Sequence, residues 1–366
     1  MQKMKKINWL NTIFLIMTPL VGIIGTVILA SKGMVMWQTW VLALLFCLAM
    51  GFCITAGYHR LFSHRAYKAA WPVRFFFAIL GAGAFEGSVL EWSTDHRIHH
   101  RYVDTERDPY NIHQGVFHAH IGWLIFLDPS KRDFSNVDEL AKDPIVAFQH
   151  KYFVPLAILS GFILPMAIGA LWGNAFAALI VAGFLRVFFN HHITFLINSL
   201  CHCVGKRTYS MEETARDNWV TAFLTLGEGF HNYHHKFPID YRNGIRFFHF
   251  DPTKWLIYGL SLVGLTSNLQ RVSDHKILQY KIRAEEARLK ETALFVEQPG
   301  AISTLKEKIF EQIARIERLE KDLFEVKRTK LKEKIHQYVD QIKRAEQELA
   351  ISLRLWKGLV YANNTI

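Results

Sequence analysis

Three stretches of this chain carry no charged residue: 7–31, 33–58 and 152–185. A helix of that length in a soluble protein keeps a polar stripe, whereas about 20 apolar residues suffice to cross a hydrocarbon layer of roughly 30 Å. The first two stretches give a hairpin of spans, 9–30 and 35–57, turning near Gly33. The third opens a second hairpin, 153–172 and 175–200, turning at Trp172-Gly173-Asn174, with Pro155 and Pro165 expected to kink its first helix. Lys3, Lys5 and Lys6 precede an apolar run too long for a signal peptide and without a small-residue cleavage site, so the first span reads as a retained helix. Basic residues gather at the N-terminus, in 57–151 and after 204, while the two hairpin turns hold only Lys32. The positive-inside rule then places both termini and the long middle segment in the cytoplasm. The net charge of +11 reports that topology and contact with anionic membrane lipid, not nucleic acid. Cys47, Cys53, Cys201 and Cys203 lie in or beside apolar helices without disulfide spacing and are expected as free thiols; Cys201 and Cys203 flank His202.

Between the hairpins, Trp71–Leu90 is apolar but interrupted by Arg74, Gly81, Gly83 and Gly87, which suggests a helix packed at the membrane surface. Trp255–Leu265 is amphipathic enough for the same place. From about Ser273 the composition turns charged and helical. A charged helix over 274–296 precedes Pro299-Gly300, and Thr304 with Glu307 then forms a plausible capping box. Leu305, Ile309, Ile313, Ile316, Leu319, Leu323 and Val326, followed by Leu331, Ile335, Val339 and Ile342, mark a heptad-like seam. Two helices folding back on each other would bury it, as would self-association through the longer helix.

The 18 histidines carry the chemistry. His59 and His64 form H-x₄-H past the second span; His96, His99 and His100 form H-x-x-H-H; His231, His234 and His235 repeat that pattern. At 100° per residue, positions i+3 and i+4 each lie within about 60° of i, so each H-x-x-H-H aims three imidazoles from one helix face. The H-x₄-H pair falls about 140° apart on an ideal helix and needs a helix end or partial unwinding to converge. Asn198 and His202, spaced i, i+4, share a face at the end of the last span. Nine imidazoles are too many for one structural ion and fit two ions with open positions. Glu91, Asp95, Asp104, Asp108, Glu228 and Asp240 adjoin the boxes and can fix ring tautomers. His113, His118, His120, His191 and His192 lie outside the boxes.

These residues together resemble the membrane fatty acyl desaturases, of the Δ9 stearoyl-CoA type and its bacterial relatives. The resemblance spans about residues 7–265: Gly57 to His64, Glu91-Trp92 before Asp95 to His100, Asp108-Pro109, Gly122-Trp123, Phe184 to Arg186, Asn198-Ser199 before His202, and Gly227 to His235. It implies an all-α membrane protein whose four transmembrane helices carry a cytoplasmic, histidine-rich di-iron domain within residues 1–270; the coiled-coil-like helical tail over 273–366 is read from its charge and heptad-like seam, and the family does not foresee it. It further implies two Fe ions held by His59, His64, His96, His99, His100, His202, His231, His234 and His235. Asn198 would hold a metal-bound water, and Asp95 and Glu228 would support the ligands. Such a protein would use O₂ and electrons to put a cis double bond into an acyl-CoA or acyl-lipid. A separate ferredoxin- or cytochrome b₅-like donor would serve it, in a bacterial inner membrane. The nearest rival is a membrane di-iron alkyl or fatty acid hydroxylase. Two positions depart from the animal enzymes: Thr94 replaces an arginine, and Ile125 to Asp128 replace basic residues attributed to CoA phosphate binding.

Overall fold

A computed structural model describes residues 6–292, 299–329 and 331–362. The chain divides into two compact units, residues 1–206 with 213–271, and residues 207–212 with 272–366.

The first unit is built on four helices long and apolar enough to cross a membrane: α1 (Trp9–Ser31), α2 (Trp37–Ser63), α5 (Phe153–Ala170) and α6 (Ala175–Cys203). Their lengths are unequal, and the inequality positions the site. At 1.5 Å per residue, the 18 residues of α5 span roughly 27 Å, whereas the 27 and 29 residues of α2 and α6 run on for roughly 40 Å. Helices α2 and α6 therefore outrun a hydrocarbon layer of about 30 Å and carry His59 and His202 beyond it. The hairpin turns fasten to each other: Asn174 accepts from the Thr39 hydroxyl (2.7 Å) and donates to the Met34 carbonyl (2.8 Å). Gly33 and Gly173 adopt φ of 67° and 74°, which glycine alone meets without strain.

Pro165 cannot donate to the carbonyl of Gly161, four residues earlier. The structure supplies another donor. Arg186 of α6, buried, donates to Gly161 O (2.8 Å), Gly83 O (2.7 Å) and Ala182 O (3.2 Å), so a cation inside the bundle satisfies the carbonyl that the proline orphans.

The apolar stretch expected as one helix over Trp71–Leu90 is broken. Helix α3 (Trp71–Gly81) runs into a short 3₁₀ turn, and α4 (Val89–Tyr102) leaves at 83°. Phe85 and Gly87 take positive φ, 59° and 90°, and Ser88 opens α4 with a capping box: its hydroxyl accepts from Glu91 N (3.2 Å) while Glu91 Oε2 accepts from Ser88 N (2.9 Å). Helices α7 (His231–Lys236) and α8 (Pro252–Leu262) follow. The unit's sheet is a two-residue antiparallel ribbon, Lys68–Ala69 against Thr266–Ser267. Its core of Met50, Cys53, Ile54, Tyr58, Phe62, Phe77, Leu90 and Ile257 lies between α2, α3, α4 and α8.

Among the described residues, the second unit has three helices, α9 (Asp274–Leu289), α10 (Pro299–Thr329) and α11 (Lys332–Ala362). Thr304 and Glu307 lie inside α10 and do not cap it. The seam expected in one long helix is divided between α10 and α11, which fold back antiparallel. Ile309, Ile313 and Ile316 are fully buried with Ala345, Leu349 and Trp356, and the Trp356 indole donates to Glu285 (2.7 Å).

Candidate metal centre

Nine imidazoles converge in two groups. His59, His64, His96, His100 and His234 form one; His99, His202, His231 and His235 form the other. Within each group the ring nitrogens all lie within 4.8 Å of one another. The two H-x-x-H-H boxes each divide between the groups. His96 and His100 enter the first and His99 the second; His234 enters the first and His231 and His235 the second.

His59 and His64 meet because α2 does not end as an α-helix. Cys53–Ser63 is π-helical, and His64 N donates to His59 O five residues back (3.1 Å). An i→i+5 helix winds between four and five residues per turn, which brings i and i+5 to within roughly 50° of each other in place of 140°. The rings lie 4.9 Å apart. Arg97 on α4 then fixes the end of α2, donating to Ser63 O (2.9 Å) and Phe62 O (3.1 Å).

The outer ring nitrogens decide what the inner ones offer. His99 Nδ1 lies 2.8 Å from Asp108 Oδ1, and a carboxylate only accepts, so Nδ1 carries the proton and Nε2 a lone pair. His202 Nδ1 lies 2.8 Å from the Thr214 hydroxyl, whose proton goes to Asp104 Oδ1 (2.6 Å), so His202 Nε2 is also bare. His59 Nδ1 lies 2.8 Å from Glu228, and His235 Nδ1 3.2 Å from Glu213. Yet the inner nitrogens face each other at short range. His99 and His235 are 3.2 Å apart, His202 and His231 3.1 Å, His235 and His231 3.0 Å. In the first group, His59 and His234 are 2.9 Å apart, His64 and His96 2.8 Å, His100 and His234 2.9 Å. His99 and His202 both have bare Nε2 atoms and belong to one group, so their two lone pairs converge without a proton between them. A cation resolves this. Two imidazole nitrogens about 2.1 Å from one ion, at a right angle, stand about 3.0 Å apart. The donor set fits two metal ions.

Burial, and then the neighbouring imidazoles, push His64, His231, His234 and His235 well below the usual histidine pKa, leaving the neutral ring that binds metal. Glu228 is fully enclosed, which alone would raise its carboxyl. The Arg60 guanidinium and His59 outweigh burial and hold it at about 2, as a carboxylate. Glu228 reaches this place through two glycines: Gly227 takes φ 107°, and a Cβ on Gly229 would stand 2.1 Å from Ala222 N.

Other residues singled out in the sequence fall elsewhere. Asp95 takes Arg132 through both carboxylate oxygens (2.6 and 3.1 Å). Asn198 lies one turn before His202 on α6, half-buried. Cys201 and Cys203 are free thiols outside both groups. His113, His118, His120, His191 and His192 belong to neither group; His120 instead lies 3.0 Å from His192. Thr94 is buried and donates to Leu90 O (2.8 Å), while Ile125 O and Leu127 O accept from Asn8 N and its side chain, anchoring the start of α1. Thr214 and Glu213 were not recognisable from the sequence, since no local pattern ties them to a histidine box. Trp92, adjoining the second box, stacks on His96 at 4.7 Å and donates to Glu86 (3.2 Å).

The model of the fatty acid desaturase family matches residues 36–261. The chain belongs to the fatty acid desaturase family. It is 46% identical over 277 residues to the probable acyl-CoA desaturase of Schizosaccharomyces pombe, covering 75% of this chain and 57% of that protein. It is 40% identical to acyl-CoA desaturase 1 of Saccharomyces cerevisiae, over 77% of this chain and 56% of the relative. Stearoyl-CoA desaturase 5 of Bos taurus is 35% identical, over 76% and 84%. The chain thus spans a little over half the length of the two yeast desaturases, and the family match over residues 36–261 contains both histidine groups.

Proposed function

We propose that this family member is an O₂-dependent desaturase that puts a cis double bond, at Δ9, into a saturated acyl chain carried as acyl-CoA. The single observation that supports this most is the convergence of the bare Nε2 atoms of His99 and His202 within a nine-imidazole centre, in a chain whose relatives are named for acyl-CoA and stearoyl-CoA desaturation. His59, His64, His96, His100 and His234 would hold one iron, and His99, His202, His231 and His235 the other, with Asn198 supporting a water beside the four-histidine position. When bound, the two irons supply the reduction of O₂ that makes an unactivated methylene pair reactive. Overall, –CH₂–CH₂– with O₂, two electrons and two protons gives –CH=CH– and two waters.

The chain's own residues prepare that site. Asp108 and the Thr214–Asp104 pair hold the Nδ1 protons of His99 and His202, so those Nε2 lone pairs point inward. Trp92 over His96 and Tyr110 over His99 (4.4 Å) cover the rings and exclude water. Electrons would arrive from a separate ferredoxin- or cytochrome b₅-type donor. By the distribution of lysine and arginine, both termini and the metal centre face the cytoplasm, across the inner membrane if the host is bacterial.

The test is expression in a host lacking its own desaturase, with any new double bond located by mass spectrometry. A hydroxylated product without a double bond would favour the hydroxylase reading. Purified full-length protein with a reducing system, offered matched acyl-CoA and acyl-phospholipid, fixes the substrate form. Thr94 and Ile125 to Asp128 offer no cation for CoA phosphate, so a phospholipid preference would show that their loss changes the head group.

A further inference from the structure

We infer that Thr214 is the positioning residue for His202, donating its one proton to Asp104 and so accepting from His202, and that it governs occupancy of the four-histidine metal position in particular. The inference rests on the reading of His202 as a ligand. A threonine hydroxyl has one proton to give. At 2.6 Å from Asp104 Oδ1, that proton is committed to the carboxylate, and the oxygen lone pair facing His202 Nδ1 at 2.8 Å can only accept. The tautomer of His202 is thereby set two residues away from any charge. Thr214 has no freedom to reverse these roles, because its own N–H donates to the other oxygen of Asp104 at 2.7 Å.

Asp104 is itself held in place. It sits at φ 63°, an unusual conformation for a residue with a side chain, and its N–H donates to Asp108 Oδ2 at 3.1 Å. The opposite oxygen of Asp108 lies 2.8 Å from His99 Nδ1. The few residues that follow α4 thus orient two imidazoles on two different helices, His99 of α4 directly and His202 of α6 through Thr214. Both belong to the four-histidine group. The five-histidine group has a different support, Glu228 on His59, and no member of it touches this loop through the contacts named here. Loss of the Thr214 hydroxyl should therefore act on one metal position and spare the other.

The experiment uses full-length protein in detergent, stripped of metal and titrated anaerobically with Fe²⁺. Metal per chain is counted by mass spectrometry, and a parallel Co²⁺ titration is read by its visible ligand-field bands. Wild type should take two ions. Thr214→Val, close in shape, should bind one ion as wild type does and the other about 10–100-fold more weakly, the usual effect of losing a group that orients a ligand. Thr214→Ala should do the same, which covers the case of a valine variant that misfolds, and Thr214→Ser should restore both ions. Two ions at wild-type affinity in a folded Thr214→Val or Thr214→Ala protein, or equal weakening of both, would overturn the inference. Wild type that fails to take two ions would instead overturn the proposed function.

Discussion

Arg60 is the most demanding residue beneath the metal centre, and its removal should be costly in a calculable way. It is 1% exposed. Its guanidinium spans two carboxylates, 2.8 Å from Glu228 and 3.0 Å from Asp251, and donates to Tyr241 O at 2.8 Å. Arg60→Met keeps the length of the side chain and removes the charge, leaving two buried carboxylates without their shared cation. Breaking a buried pair from one side costs about 3–5 kcal/mol. Burial alone would raise the Glu228 carboxyl; Arg60, together with His59, holds it at about 2, so the loss acts on Glu228 in the same direction. At about 2.1 cal/mol/K of unfolding entropy per residue, a 366-residue chain shifts by roughly 1.3 °C per kcal/mol, so the melting temperature should drop by on the order of 5 °C. Melting followed by intrinsic fluorescence of purified full-length protein measures this. Arg60→Lys, which keeps the charge but loses the planar fork, should fall between the two. A melting temperature for Arg60→Met within about 2 °C of wild type, on the same scale, would mean that Glu228 and Asp251 do not depend on Arg60, and the argument would fail.

The other expectations are simpler to score. His100→Ala and His234→Ala should abolish product while leaving the protein inserted in the membrane, because the four spans and not the histidines determine insertion; wild-type turnover in either variant would refute the ligand assignment. Deletion after Arg271 should leave double-bond formation measurable in membranes, since the family match ends at residue 261 and every ligand lies before it; complete loss in a well-expressed truncation would give the tail a part in catalysis. Gly229→Ala should cost activity and stability together, because its Cβ would meet the Ala222 backbone at 2.1 Å and displace Glu228; unchanged activity and melting would show that the backbone gives way there.

How far the sequence revealed this molecule depends on the range over which each signal acts. The spans were legible because an uninterrupted apolar stretch excludes most alternatives, and the two H-x-x-H-H boxes because helical spacing fixes where three rings point. The break before α4 was also written locally, in Gly87 and in Ser88 with Glu91, but the apolar composition of Trp71–Leu90 masked it. In the tail, the seam expected in one long helix falls on two, and α11 buries Ala345, Leu349 and Trp356 with Ile309, Ile313 and Ile316 while the seam residue Leu331 stays exposed.

What could not be read locally is what fixes the chemistry. His59 and His64 are 140° apart by α-helical arithmetic, and only the widened turn of Cys53–Ser63 brings them together. Asp95, beside the second box in sequence, points to Arg132, whereas Thr214, remote from every box, contacts His202. The ligands follow helical periodicity, a property of adjacent residues. Where hydrogen bonds fix the tautomers, they join residues 9 to 110 positions apart, from His99–Asp108 to the Thr214–Asp104 bond behind His202. A histidine motif therefore states where metal can bind, while the residues that aim each lone pair are set by the packing of α2, α4 and α6.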